Sequence, residues 1–123
     1  MTKETIAQVI ETPLGKIVVY EEVIATIVGF AAEECYGLVG MASRKLSDDV
    51  ARLLNRENIA RGIQISHLED GLIIEMNVIV GYGVKISEVA GNVIERVRYF
   101  VEMMTGLKVA LVNVKVQSVR YAE

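Results

Sequence analysis

Several residue types are scarce in this chain, which has no tryptophan and only one histidine, one cysteine and one proline in 123 residues. A single cysteine, Cys35, cannot form an internal disulfide, which agrees with a reducing compartment. One histidine and one cysteine cannot build a zinc site without several carboxylates, and the adjacent pairs Glu21-Glu22 and Glu33-Glu34 point to different angles of a helix. We therefore predict no metal and no cofactor.

Two side chains have the chemistry for catalysis in principle. His67 falls near the end of a predicted strand beside Glu69 and Asp70, where it could act as a general base, but a lone histidine near a turn is far more often structural or solvated. Cys35 lies on the apolar stripe of a predicted helix, where a buried thiol is inert, and no histidine lies near it in sequence. We predict no catalytic residues and interpret the chain as non-enzymatic.

The chain also lacks long apolar runs and an excess of positive charge. No run reaches the roughly 18 to 20 residues of a membrane-spanning helix, and residues 1–5 lack the apolar stretch of a secretory signal, so we expect a cytoplasmic protein with no direct membrane insertion. The net charge is −3 and the 13 Lys and Arg residues are scattered. This argues against nucleic-acid binding, because neutralising phosphates requires clustered cations.

Hydrophobic residues make up 52% of the chain, enough for one independently folding core. Residues 1–13 show no strong period and end at the only proline, so we predict an N-terminal arm over residues 1–13 and one domain over residues 14–123. The predicted element order is β-α-β-α-β-β-α-β. It indicates a single compact α/β domain of the α+β type, with a mixed sheet and amphipathic helices packed on it.

Three helices are predicted from period and capping residues. The first runs from Glu21 to Cys35 with Gly37 as its stop, and the second, over Val50 to Asn55, follows the cap Ser47-Asp48-Asp49. The longest runs from Ser87, its predicted cap, to Thr105 and ends at Gly106. The predicted buried stripes are Val23, Ile24, Ile27, Val28, Phe30, Ala31 and Cys35 in the first helix, and Val89, Ala90, Val93, Ile94, Val97, Phe100, Val101 and Met104 in the longest.

Strands are predicted where apolar residues alternate or cluster. They cover residues 16–20, 38–41, 62–66, 72–80 and 107–119. Asp70-Gly71 is typical of a hairpin turn and pairs the third and fourth strands antiparallel. Residues 72–80 are apolar on both faces, since Ile73 and Ile79 lie opposite the main stripe, and this indicates that something covers the second face.

The turn at residues 81–87 is a candidate anion-binding site. Glycines before a helix N-terminus can aim backbone amides at an anion, and the residues concerned are Gly81, Gly83, Lys85 and Ser87. The stretch has neither the phosphate-loop pattern nor the third glycine of the dinucleotide pattern. Two glycines that allow a strand to turn into its helix explain it more simply.

A mixed column on one flank of the longest helix is a candidate interface. Its members are Asn92, Arg96, Tyr99 and Met103. Aromatic, methionine and arginine side chains are enriched at interfaces, so this column is a candidate surface for a partner or for self-association. Ordinary packing under a neighbouring loop is the alternative.

Three stretches carry a family resemblance that spans residues 14–121. They are Gly15-Lys16-Ile17-Val18 with Glu22-Val23-Ile24, then Tyr36-Gly37-Leu38-Val39-Gly40-Met41, and then Tyr82-Gly83 leading through Val93 to Met104-Thr105-Gly106-Leu107-Lys108-Val109 and Val112-Asn113-Val114-Val116. With them the chain resembles the alkaline shock protein family, the envelope stress response proteins of Gram-positive bacteria. The resemblance implies a compact α/β domain without established enzymatic activity, linked to cell-envelope homeostasis and to self-association or partner proteins at the membrane. It supplies no catalytic residues.

Three functional hypotheses follow. The leading one is a cytoplasmic scaffold or regulatory module that forms a homo-oligomer and binds a membrane-anchored or cytoplasmic protein partner. The second is a module that binds a small anion or phosphate metabolite at residues 81–87. The third, an RNA-binding domain, is disfavoured because the turn reads Gly-Tyr-Gly rather than Gly-x-x-Gly and the charge balance is acidic.

Overall fold

The computed structural model describes residues 6–41 and 62–121. The elements in these ranges, in chain order, are β1 (Ile6–Thr12), β2 (Gly15–Tyr20), α1 (Glu21–Glu33), β3 (Leu38–Met41), β4 (Ile63–Leu68), β5 (Gly71–Gly81), α2 (Ile86–Thr105) and β6 (Val109–Arg120). This mixed arrangement confirms the predicted fold class. The predicted helix over Val50 to Asn55 and its cap Ser47-Asp48-Asp49 lie outside the described residues.

β5 is the central strand of the main sheet. β6 pairs with it in parallel along one edge. Along the other edge, β4 pairs antiparallel with the first half of β5 and β3 pairs antiparallel with the second half. The predicted β4–β5 hairpin is therefore confirmed, with Leu68 opposite Gly71 at its closed end.

The two faces of β5 differ in what covers them. The predicted core face is confirmed, because its five side chains are almost fully buried; they are Leu72, Ile74, Met76, Val78 and Val80. On the opposite face Asn77 and Ile79 are also buried, while Ile73 is partly exposed. The Asn77 amide donates to the carbonyl of Gly62 and accepts a 2.8 Å hydrogen bond from Gln117, so this buried polar group is satisfied.

The N-terminal segment contains a strand that periodicity did not indicate. β1 pairs antiparallel with β2 across the predicted boundary at residue 13, with Val9 opposite Val18 and Ile10 opposite Ile17. The Thr12 hydroxyl oxygen accepts hydrogen bonds from the amides of Leu14 and Gly15 and closes the turn. β1 and β2 form a separate two-stranded sheet.

α1 and α2 pack on the core face of the main sheet. α2 contributes a stripe of four buried valines, Val89, Val93, Val97 and Val101, which follows the prediction. In α1 the predicted stripe is partly wrong, because Val23 and Phe30 are exposed whereas Ala25, Gly29 and Ala32 are buried. Small residues bring the helix close to its neighbours, and hydrophobicity alone does not reveal such a face.

The helix ends also differ from the prediction in part. α1 ends at Glu33 with Glu34 as its C-cap, before Cys35 and Gly37. α2 begins at Ile86 with Lys85 as its N-cap, so Ser87 is not the cap. The reason is that the Lys85 carbonyl already accepts from the amides of Glu88 and Val89, which places Ser87 inside the first turn.

The end of α2 agrees with the prediction and also anchors β6. Gly106 is the C-cap, with the left-handed φ of 76° that glycine adopts readily. Just beyond it, the Val109 amide donates to a Glu102 carboxylate oxygen at 2.9 Å, and the Val109 carbonyl accepts from the Arg98 guanidinium at 2.8 Å. Two side chains of α2 thus bind the backbone of the first residue of β6.

Candidate interaction surface

α1 and α2 run antiparallel and leave a groove between them. The C-cap of α1, Glu34, lies 3.5 Å from Arg96 in the middle of α2, whereas Ile27 faces Met104 near the end of α2. The groove has a volume of about 240 Å³. Its lining consists of Ile27, Phe30, Ala31, Glu34, Phe100 and Met104.

Large apolar side chains surround this groove and are exposed. The exposed fractions are 53% for Phe30, 60% for Tyr99, 55% for Met103 and 62% for Met104. Single exposed apolar residues are common on protein surfaces, but a cluster of two aromatic and two methionine side chains is typical of an interaction site. We call the groove, together with Asn92, Arg96, Tyr99 and Met103, the helical surface.

The structure connects the predicted interface column to the groove. All four column residues are exposed on α2. Arg96 is the link, because its guanidinium pairs with Glu34 and lies 5.7 Å from the centre of the Phe100 ring, while Tyr99 packs edge-on against Phe100 at 5.4 Å. Sequence reasoning missed Phe30 and Met104 as surface residues, since it placed both in buried stripes.

Charge on the helical surface is mainly acidic on the α1 side. Glu21 and Glu22 lie in the first turn of α1, Glu33 and Glu34 lie at its end, and the last turn carries no basic residue. The Glu34–Arg96 pair is solvent-exposed on both sides, so it contributes little to stability. The surface is therefore an apolar groove with a polar rim.

Cys35 lies beside this surface but is buried. Burial raises the pKa of its thiol, and the neighbouring Arg96 guanidinium offsets only part of that effect. The thiol donates to the Ala31 carbonyl at 3.6 Å. A thiol that stays protonated at neutral pH is a poor nucleophile.

His67 lies elsewhere, exposed on β4 opposite Leu72 of β5. Glu69 and Asp70 are exposed in the turn that follows. Within residues 6–41 and 62–121, no three His, Cys, Asp or Glu side chains gather closely enough to hold a metal ion.

The candidate anion-binding turn is held by backbone bonds at its start. The Gly81 amide donates to the Gly37 carbonyl and the Tyr82 amide donates to the Arg120 carbonyl. Gly83 has a left-handed φ of 95°, and Lys85 and Ser87 are exposed. The amides of residues 81 and 82 are thus occupied, and an anion would have to use the first turn of α2.

Comparison with known proteins identifies the family. The model of the alkaline shock protein family, described as having a cell envelope-related function, matches residues 9–121. The chain belongs to the alkaline shock protein family. This confirms the resemblance found in the sequence, and the matched residues contain the whole helical surface.

Members of the alkaline shock protein family from other bacteria align along nearly the whole chain. The uncharacterized protein YloU of Bacillus subtilis is 46% identical over 112 residues, which are 90% of this chain and 93% of the relative. The uncharacterized protein Spy1614 of Streptococcus pyogenes is 41% identical over 112 residues, with the same coverage. A stress response regulator gls24 homolog of Streptococcus pyogenes is 26% identical over 109 residues, 89% of this chain and 61% of the relative.

No solved structure matches the chain. In the described part of this alkaline shock protein family member, neither helix combines the length and the apolar character that crossing a membrane requires.

Proposed function

We propose that this alkaline shock protein family member is a non-enzymatic scaffold or regulatory module for cell-envelope homeostasis or the stress response. It acts through self-association and through protein partners. It works in the cytoplasm and reaches the membrane through a partner protein rather than by insertion. The observation that carries this proposal is the helical surface, where Phe30, Tyr99, Met103 and Met104 are all more than half exposed.

The composition of the helical surface supports a role in protein contacts. The centres of protein interfaces are enriched in aromatic residues, methionine and arginine and depleted in lysine and aspartate, and a polar rim surrounds them. Here Phe30, Phe100 and Tyr99 supply the aromatic rings, and Arg96 and Glu34 supply the rim. Methionine is flexible and polarisable, so Met103 and Met104 can adapt to partners of different shape.

The envelope and stress assignment rests on the family. The description of the alkaline shock protein family names an envelope-related function, and the gls24 homolog carries the name of a stress response regulator. The apolar helical surface supplies the physical means by which such a module would act without a reaction of its own.

Replacing Tyr99 with glutamate should weaken self-association without unfolding the chain, because the new charge enters an exposed apolar surface. Size-exclusion chromatography with light scattering should show the wild type above its monomer mass of 13.6 kDa at micromolar concentrations and the variant near that mass. Leu111→Glu is the matched control, since Leu111 is similarly exposed at 53% but lies on β6. We expect the control to keep the wild-type mass.

The same variants test the cellular role. In cells that lack the chain, wild type and Leu111→Glu should restore tolerance to alkaline or cell-wall stress, and Tyr99→Glu should not. A wild type that is strictly monomeric would contradict self-association, and full complementation by Tyr99→Glu would contradict a role for the helical surface.

The second candidate function is binding of a small anion or phosphate metabolite at Gly81, Gly83, Lys85 and Ser87. One observation favours it: the N-terminus of α2 has no side-chain cap, and uncapped amides at a helix start attract anions. Calorimetry with inorganic phosphate should then show binding that falls at least about tenfold in Lys85→Ala but not in Lys108→Ala, since a charge-assisted contact contributes about 1.5–3 kcal/mol. Absence of binding by the wild type to phosphate and phosphate esters would contradict this candidate.

A further inference from the structure

The interface column on α2 has the spacing of a coiled-coil seam. Asn92, Arg96, Tyr99 and Met103 are separated by four, three and four residues, the alternation that places side chains along one line between two packed helices. All four are exposed. The core of the domain uses a different stripe of the same helix, the valines from Val89 to Val101. α2 therefore carries one seam for its own core and a second seam that faces solvent.

The second seam reads the same in both directions. When another α2 lies against it antiparallel, Asn92 of one copy faces Met103 of the other, and Arg96 faces Tyr99. Each pair then occurs twice about a twofold axis, as in the isologous interfaces of most homodimers. The seam is thus complementary to itself in this orientation.

Charge selects this orientation over the parallel one. Parallel pairing in register would place the Arg96 guanidinium against its own copy, and like charges at a seam repel. Antiparallel pairing places it against the ring of Tyr99, where a cation and an aromatic face attract each other. On the flank, Glu102 carries its counter-charge with it, because Arg98 lies 4.0 Å away.

The exposed area is also sufficient for a second copy. Side chains of this size cover roughly 200 Å² each. Four that are more than half exposed, namely Phe30, Tyr99, Met103 and Met104, therefore present about 400–500 Å². A stable interface needs about 800 Å² on each partner, about two-thirds of it apolar at the centre. The polar side chains Asn92, Arg96 and Glu34 extend the surface toward that area.

We propose that two copies of the chain pair through α2 in an antiparallel, twofold arrangement, with Asn92 against Met103 and Arg96 against Tyr99. This pairing rests on the proposed function, since it is one specific form of self-association. It places the groove between α1 and α2 next to the α2–α2 contact, so that Phe30 and Met104 lie at the edge of the dimer interface.

Disulfide cross-linking tests the pairing. The natural thiol is first removed by Cys35→Ala, and two single-cysteine chains, Asn92→Cys and Met103→Cys, are prepared with different tags. After mixing and mild oxidation, linkage between residues 92 and 103 should exceed linkage between two residues 92 at least about tenfold. The reason is distance, because residues 92 of the two copies would lie about 16 Å apart in the antiparallel arrangement, whereas a disulfide needs Cα atoms within about 7 Å.

Each outcome decides the question. Predominant 92–92 linkage would establish a parallel pairing and overturn the proposal, and so would 92–103 linkage no faster than that of Leu111→Cys, which reports random collisions. If the chain self-associates in light scattering but forms no 92–103 linkage, this pairing is wrong while the scaffold function stands. A chain that is monomeric in light scattering would overturn the proposed self-association and the pairing together.

Discussion

Ile74→Ala should lower the free energy of unfolding by about 2–5 kcal/mol. Ile74 is 0% exposed and lies in the central strand β5, between Ile65 of β4 and Val112 of β6. Its removal takes apolar atoms out of a core that includes Val93 and Val97 of α2 and leaves a cavity. The surrounding structure can close only part of that cavity, because β5 is held on both edges.

Urea denaturation would measure this loss directly. Since a domain of this size has a urea m-value of about 1–3 kcal/mol/M, the midpoint should fall by at least about 1 M. Ile73→Ala is the matched control, because it removes the same atoms from the next residue of the same strand, where the side chain is only partly buried. Equal losses for the two variants would show that the core does not lie on the predicted face of β5.

Gly71→Ala should also be strongly destabilising, by about 2–4 kcal/mol. Gly71 has a φ of 136°, and a Cβ built on it would lie 2.6 Å from the Lys108 carbonyl oxygen. That oxygen accepts a 2.9 Å hydrogen bond from the Leu72 amide at the start of the β5–β6 pairing. Because the obstacle is backbone, relief would require the two parallel strands to separate.

Gly106→Ala separates the steric part of this effect from the conformational part. Gly106 is also left-handed, but a Cβ built there meets no atom within 4 Å. Its replacement should therefore cost only about 1 kcal/mol. Thermal unfolding of both variants would show the difference, and a Gly71→Ala melting temperature equal to that of Gly106→Ala would contradict the close approach of Lys108.

The sequence predicts the main sheet well because its pattern is local. Alternation in residues 72–80, followed through the turn at Asp70-Gly71, specifies both the strand and its antiparallel neighbour. Apolar residues on the second face correctly indicate cover, which the structure shows at Ile79 and at Asn77 with its partner Gln117.

Features that depend on distant contacts are not predictable in this way. β1 has no clear alternation and is a strand because it pairs with β2. Phe30 and Val23 look like core residues on a helical projection, but the true buried face of α1 includes alanine and glycine. A hydrophobic pattern cannot indicate how closely two helices approach, and here that distance decides which side chains stay outside.

The same limit applies to the helical surface. The spacing of Asn92, Arg96, Tyr99 and Met103 is visible in the sequence and predicts the column. The groove is not predictable, because it arises where the antiparallel α1 and α2 diverge around Ile27, Phe30 and Met104. Only the tertiary structure shows that the column and the groove form one surface joined at Arg96.

The clasp that Glu102 and Arg98 place on Val109 has a consequence for solubility. A long strand at the border of a sheet is a template on which other polypeptides can stack into fibrils. Here the outward amide and carbonyl of its first residue are already saturated from within the chain, and farther along an intruding strand would have to strip water from Lys115 and Arg120. Even at high local concentration, therefore, growth of an extended cross-β ribbon from this strand is disfavoured.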